Sequence, residues 1–177
     1  LGTSNKANPA KFATGYDANG AVVWEDVTER CFRTIERHGL EALVVIGGDG
    51  TMACAQPFAA AGIPIIGVPK TIDNDYSGID FTFGFFSAVD VMSKELLNLR
   101  ADAIATQSYF VVEVMGRMAG WLGYGVAIAG EAHLMIGVED VIGELVDEHA
   151  GPRDGKVNVH LDLDALCDRI IQLIETR

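Results

Sequence analysis

Short unbroken apolar runs, each ending in a polar glycine-bearing turn, set the rhythm of this chain. Leu43-Val44-Val45-Ile46 leads into Gly47-Gly48-Asp49-Gly50-Thr51. Ile63-Pro64-Ile65-Ile66-Gly67-Val68 leads into Pro69-Lys70-Thr71-Ile72-Asp73-Asn74-Asp75. The pattern predicts strands over 42–46 and 63–68, joined by a small-residue helix from Thr51 to Ala61 that Gly62 closes. Continuous rather than alternating apolar runs predict parallel strands buried on both faces. Residues 1–24 are polar and rich in Gly and Asn, with one apolar stretch at Ala21–Trp24. From Trp24 to Leu40 the residues Val27, Cys31, Phe32 and Ile35 recur at helical spacing, and Gly39 is placed as a C-terminal cap. Farther on, Phe83–Leu99 reads as a long helix with Phe85, Phe86, Val89, Met92, Leu96 and Leu99 inward. A strand follows over Phe110–Val114, a turn at Met115-Gly116-Arg117, and a Gly/Ala-rich helix from Met118 to Gly130. His133–Val138 reads as a further strand and 147–158 as a polar loop. Asp162 or Asp164 then caps a last amphipathic helix with Leu166, Ile170, Leu173 and Ile174 on one side. This alternation predicts a doubly wound α/β fold with a mainly parallel sheet, whose ligands gather outside the carboxyl ends of the strands.

Composition narrows the partners. The chain has 177 residues, enough for one domain, and 49% are apolar. A formal net charge of -12 disfavours nucleic acid and acidic membrane surfaces as partners, while leaving a phosphorylated metabolite open. Cys31, Cys54 and Cys167 are isolated and have neither zinc nor disulfide spacing, so they read as thiols of a reducing compartment, the cytoplasm. No stretch has the length and apolarity of a membrane-spanning helix, and no signal peptide is evident. The chain opens on Leu1 rather than Met, in a turn-like Gly-Thr-Ser-Asn, and is expected to be a piece of a longer protein.

Two turns carry candidate chemistry. A strand that ends in glycines and opens into a helix presents backbone N–H groups to an anion. Asp49 inside that turn repels an anion but can hold a cation that serves it, or can simply cap the helix. At the second turn, Asp73 and Asp75 sit two residues apart and point differently unless the turn bends them. One is expected to be a general base, the other a metal ligand or support. Anion cradle, metal carboxylate and base together read as phosphoryl transfer.

At this point the chain resembles the 6-phosphofructokinase family. Gly-Gly-Asp-Gly-Thr, Pro-Lys-Thr-Ile-Asp-Asn-Asp, Gly84-Phe85-Phe86-Ser87-Ala88 and Val111-Val112-Glu113-Val114-Met115-Gly116-Arg117 stand in that family's order and spacing. Leu1-Gly2-Thr3-Ser4-Asn5 resembles its donor-side loop. The resemblance implies that Asp73 is the base toward the 1-hydroxyl of fructose 6-phosphate, with Thr71 and Asp75 assisting. It places Ile72, Met115, Gly116 and Arg117 with Thr71 and Asp73 around the sugar phosphate, Arg117 acting in catalysis as well. Gly47, Gly48, Asp49, Gly50, Thr51 and Lys70 fall on the donor side, with Asp49 holding Mg²⁺. It further implies that residues 1–177 form the central part of a catalytic unit. The donor-binding strand before it and the later sugar-binding Glu, His and Arg beyond Arg177 are absent, and the full-length protein is a homo-oligomer.

Departures from the family pattern matter too. Ser108 stands where bacterial allosteric members carry an Arg, Asn5 and Lys6 where they often have Arg in the donor loop, and His133 where they have an acidic effector-site residue. Regulation by nucleotide effectors of the bacterial kind is therefore not expected. For the donor, ATP users of the family have Gly after the metal Asp and before the Thr-Ile-Asp, and pyrophosphate users have Asp and Lys. This chain has Gly50 and Lys70, and the open space at Gly50 favours ATP. Rival expectations are a pyrophosphate-dependent enzyme, an NAD or lipid kinase sharing the Gly-Gly-Asp-Gly-Thr turn, and a non-catalytic fragment. His38, His149 and His160 read as surface residues, and Trp121 as packing.

Overall fold

A computed structural model describes residues 7–116, 118–147 and 160–176. Arg117, Leu1–Asn5, Lys6, His149 and nearly all of the expected 147–158 loop lie outside them. The chain divides into two compact units, Leu1–Lys70 and Thr71–Arg177.

The first unit opens with a hairpin that the periodicity did not reveal. Strands β1 (Phe12–Tyr16) and β2 (Val22–Glu25) pair antiparallel, Phe12 opposite Glu25 and Tyr16 opposite Val22. The turn between them is built by Asp17, whose Oδ1 accepts the N–H groups of Asn19 (2.8 Å) and Ala21 (2.9 Å). The helix expected from Trp24 is therefore shorter. Asp26 accepts the Thr28 N–H at 2.8 Å, and α1 runs only over Thr28–Arg37. It ends as Gly39 predicted, with Leu40 N–H returning to Ile35 O at 3.0 Å.

Strands β3 (Leu43–Gly47) and β4 (Ile65–Thr71) are parallel, Leu43 opposite Ile65 and Gly47 opposite Pro69. Helix α2 (Asp49–Ala60) makes the crossover between them. Phe58 of α2 meets Phe32 of α1 with ring centroids 5.0 Å apart, and Met52 lies over Gly67. Burial on both faces is not what these strands show. Leu43, Val45 and Ile65, on the α2 side, are half-buried, whereas Val44 (64% exposed), Ile46 (59%) and Ile66 (64%) line a face uncovered among the described residues of this unit. One helix layer covers one face of a strand pair, so the period-two burial follows from what is present to pack.

In the second unit, the two-residue strand β5 (Phe83–Gly84) follows Thr82, whose hydroxyl donates to Thr71 O at 2.7 Å. Helix α3 (Phe85–Thr106) packs along α4 (Trp121–Ala129). Phe85, Leu122 and Val126 form the buried core, with Ile72, Val89, Met92, Leu96 and Val114 against it. The α4 glycines let α3 close in, Gly125 against Val89 and Gly130 against Leu96. Helix α3 outruns its expected end at Leu99 because Arg100–Thr106 are mostly good helix formers, and it stops where Gln107 turns left-handed (φ 53°). Phe86 is 58% exposed and Trp121 53% exposed, against the inward and packing roles expected of them.

Two expected strands do not form. Residues 110–114 make no ladder among the described residues, and Val111 is 95% exposed, since a strand is stable only beside a partner edge. Residues 133–138 instead lead into a 3₁₀ turn, Val138–Asp140, that closes on α4. Helix α5 (Leu163–Glu175) is capped by Asp162, which accepts Ala165 N–H at 3.0 Å, so of the two expected caps it is Asp162. Leu166 and Ile170 are half-buried, and Leu173 and Ile174 are only a little more open, at 37% and 38% exposed. His160, read as a surface residue, is half-buried, with its carbonyl accepting from Asp147 N–H at 2.8 Å. Among the described residues no helix is long and apolar enough to cross a membrane.

Candidate active site

The residues expected on the donor side all belong to the first unit. Gly48 caps α2, its carbonyl accepting from Thr51 N–H (3.0 Å) and Met52 N–H (3.1 Å). The twelve-residue helix behind this turn aims its positive end past the carboxyl end of β3. A Cβ on Gly47 would run into the Thr51 side chain, so the turn closes only with glycine there. Asp49 opens the helix, is exposed, and takes Gly50 N–H on Oδ1 at 2.7 Å. A negative side chain suits a helix N-terminus, so Asp49 is at once a stabilising residue and an accessible carboxylate. Among the described residues no three His, Cys, Asp or Glu side chains cluster into a protein-only metal cage. A single exposed carboxylate beside a phosphate cradle still suits Mg²⁺, which takes one or two carboxylates and fills its octahedron with water and phosphate oxygens. Next to the turn lies a cavity of about 230 Å³, lined by Gly50, Ala53, Cys54, Pro57 and Phe58 of α2, with Thr28 and the Asn8–Ala10 segment. Lys70 is exposed and lies within β4 rather than beyond it.

The residues expected on the acceptor side belong to the second unit. Thr71 Oγ1 accepts Asp73 N–H at 3.2 Å, which bends the chain at the end of β4. Asp73 is half-buried with its Oδ1 out of reach of solvent, whereas Asp75 is exposed. The two carboxylates therefore have different surroundings. Ile72 is half-buried and packs against the Phe85–Leu122–Val126 core.

Asn74, which the sequence suggests only as a capping residue of this polar turn and not as part of the site, is the residue that fixes it. It sits at φ 55°, a conformation Asn tolerates better than most residues. Its Oδ1 accepts Thr82 N–H at 2.8 Å and its Nδ2 donates to Asp80 O at 3.2 Å. Thr82, only 4% exposed, donates its hydroxyl to Thr71 O at 2.7 Å. Asn74→Ala leaves the buried Thr82 N–H unpaired and strains the backbone. We expect a loss of about 2 kcal/mol in denaturant unfolding, together with a fall in activity as the Asp73 turn loosens.

Met115 is exposed and Gly116 half-buried at φ 142°; Arg117, the third residue of this expected loop, is not among the described residues. Val114 packs on the same core as Ile72, so Thr71–Asp73 and Met115–Gly116 leave from one cluster. Beyond the loop, the N-terminus of α4 is closed by residues the sequence reading also missed. Gly120 N–H donates to both carboxylate oxygens of Glu139, at 2.9 and 3.1 Å. Asp140 accepts Gly137 N–H at 2.7 Å and a short hydrogen bond from the Tyr124 hydroxyl. The Tyr124 phenol is pushed up to about 12, first by that hydrogen bond, then by burial and the charges of Asp140 and Glu139. The Gly137 N–H, the Tyr124 hydroxyl and the charge of Arg169 hold the Asp140 carboxyl below its usual range. A depressed carboxyl stabilises the fold above its ordinary pKa and loses that contribution as pH falls through the depressed value. A raised phenol contributes fully below about 10 and loses it as pH rises through about 12. The pair is thus intact throughout the neutral range.

Comparison with known proteins matches this arrangement to one family. The phosphofructokinase family profile covers residues 1–150. The chain is 41% identical over 136 residues to ATP-dependent 6-phosphofructokinase 2 of Clostridium perfringens, covering 77% of this chain and 37% of that protein. It is 38% identical over 151 residues to the ATP-dependent 6-phosphofructokinase of Pectobacterium carotovorum, covering 81% of this chain and 46% of that protein. It is also 41% identical over 113 residues to the pyrophosphate–fructose 6-phosphate 1-phosphotransferase of Dictyoglomus thermophilum, covering 63% of this chain and 33% of that protein. The matched region spans less than half of each relative. With its glycine cradle, its Asp73 turn and a profile match over residues 1–150, the chain belongs to the phosphofructokinase family.

Proposed function

We propose that this chain supplies the central part of a 6-phosphofructokinase catalytic unit, which transfers the terminal phosphoryl group of ATP to the 1-hydroxyl of fructose 6-phosphate. The observation that carries the reading is the turn Thr71–Asp75. Asp73 is half-buried, its backbone N–H is held by Thr71 Oγ1, and its neighbour Asn74 is locked to Thr82. In this reading Asp73 takes the proton of the 1-hydroxyl as that oxygen bonds to the γ-phosphorus. The bond from the γ-phosphorus to the β–γ bridging oxygen breaks, and ADP leaves with the electron pair. Thr71 and Asp75 support the carboxylate and the sugar, and Met115, Gly116 and Arg117 hold the sugar phosphate, Arg117 through its bidentate fork. Gly47, Gly48, Gly50, Thr51 and Lys70 receive the donor phosphates, and the cavity beside Gly50 has room for part of a nucleoside. Asp49 would hold Mg²⁺, which neutralises charge on the donor phosphates when bound. The active protein is a cytoplasmic homo-oligomer in this reading, and the remaining donor and sugar contacts come from parts of the catalytic unit that this chain does not carry.

The pyrophosphate reading is kept alive by Lys70 and by the Dictyoglomus relative. Turnover of the complete polypeptide with fructose 6-phosphate and either donor tests both. We expect fructose 1,6-bisphosphate with ATP; product from NAD or a lipid acceptor, or from no acceptor at all, would refute the assignment. Asp49→Ala should shift the Mg²⁺ dependence of the rate to higher concentration as well as lowering it. An unchanged metal titration would reduce Asp49 to a helix cap.

A further inference from the structure

We infer that Tyr124 and Asp140 are positioning residues for the sugar-phosphate loop at Met115–Gly116, acting through the N-terminus of α4. The inference rests on the assignment of that loop to fructose 6-phosphate.

The geometry forms a chain of contacts within the second unit. Tyr124 lies in the first turn of α4, its N–H bonded to Gly120 O at 2.9 Å. Its hydroxyl reaches Asp140, and Asp140 in turn holds Gly137 N–H, so the 137–140 turn is drawn against the helix. That places Glu139 where both its oxygens receive Gly120 N–H. No side chain fits between these pieces. A Cβ on Gly120 would stand 3.0 Å from the Tyr124 ring and 3.2 Å from Gly137 Cα, and one on Gly137 would stand 3.1 Å from that ring. The last link is Ala119, buried beside Gly120, whose carbonyl would lie 2.6 Å from a Cβ placed on Gly116. The loop backbone therefore rests on residue 119, which is fixed by residue 120, which is fixed by the Tyr124–Asp140 pair through Glu139.

A charge-assisted bond from a phenol to a half-buried carboxylate is among the stronger neutral-to-ion hydrogen bonds, and two N–H groups share its benefit. Depressed Asp140 and raised Tyr124 titrations agree with an ionised acceptor and a protonated donor at neutral pH. The hydroxyl of Tyr124 does not belong to the hydrophobic core of α3 and α4, so its removal loosens the clamp with little damage to the packing.

The test measures fructose 6-phosphate binding by calorimetry in the complete polypeptide, alongside donor binding and hydrogen exchange of the Gly120 and Gly137 amides without ligand. Tyr124→Phe and Asp140→Ala should weaken sugar-phosphate binding about tenfold, leave donor affinity within about twofold, and speed exchange at both amides. Asp140→Asn keeps one acceptor oxygen and should retain most of the affinity, whereas Asp140→Leu, which fills the volume without an acceptor, should lose as much as Asp140→Ala. Full affinity in Asp140→Leu would reduce the residue to space-filling and overturn the inference. Faster exchange with unchanged sugar-phosphate affinity would overturn the inference, as would unchanged exchange or an equal loss of donor and sugar affinity. A parent protein that binds fructose 6-phosphate without phosphorylating it would sink the kinase reading and leave this test standing. A parent that does not bind it would sink both.

Discussion

Asp73→Asn should lower turnover by a hundredfold or more while leaving the affinity for fructose 6-phosphate within a few fold. Asn has nearly the shape of Asp, and the turn that carries it is fixed independently, by Thr71 Oγ1 on the residue 73 N–H and by Asn74 on Thr82. The substitution keeps the shape but removes both the charge and the ability to accept a proton, and general base catalysis contributes roughly 10²–10⁴-fold. Its effect should fall on kcat and on kcat/KM alike, the signature of an interaction made in the transition state. Asp75→Asn is the control. Its side chain is exposed two residues on, where a supporting charge is largely screened by solvent, so the loss there should be much smaller. Equal losses at the two positions would mean that the turn's total charge matters rather than a base at residue 73. Near-normal turnover of Asp73→Asn would remove that residue from the reaction.

The parts of the fold that the sequence made legible are those whose signals are local. The glycine turns at 47–50, the caps at Gly39 and Asp162, and the parallel pair around α2 follow from short-range chemistry and came out within a few residues. The β1–β2 hairpin was missed because its turn depends on one Asp17 side chain holding two N–H groups, a three-dimensional arrangement behind an undistinguished Asp-Ala-Asn-Gly. The apolar run at 110–114 looks like a strand by composition, but pairing is a property of neighbours, and none borders it among the described residues. The site divides in the same way. Asp49, Thr71, Asp73 and Asp75 are conspicuous because their residue types advertise chemistry. Asn74, Thr82, Glu139, Asp140 and Tyr124 serve by fixing the fold through hydrogen bonds that reach across as many as 19 residues, a role no spacing rule exposes. Motif reading finds the groups that can react, and the groups that aim them emerge only when the chain is folded.

Gly50→Asp should reverse the order of donors, with catalytic efficiency for ATP falling about a hundredfold and that for pyrophosphate persisting or rising. A Cβ on Gly50 would have nothing within 4 Å, so the polypeptide itself accepts a side chain at this position. An acid in the first turn of α2 also suits the helix dipole, and Asp has better helix propensity than Gly, so unfolding in denaturant should show equal or slightly higher stability. Any loss of ATP use then arises from the donor and not from damage to the fold. Gly50 borders the 230 Å³ cavity, and in the proposed reading, with the nucleoside in that cavity, a carboxylate at residue 50 meets the phosphate between it and the glycine turn. Two like charges about 4 Å apart in a partly dry site repel by roughly 4 kcal/mol before relaxation, more than enough for the expected loss. Pyrophosphate has no α-phosphate followed by a nucleoside and escapes that conflict. Lys70→Gly gives the complementary arm. Removing an exposed cation should harm a donor held by phosphates alone more than one that also brings a nucleoside into the cavity. If the parent protein already prefers pyrophosphate, the open space at Gly50 does not select the donor and Lys70 does.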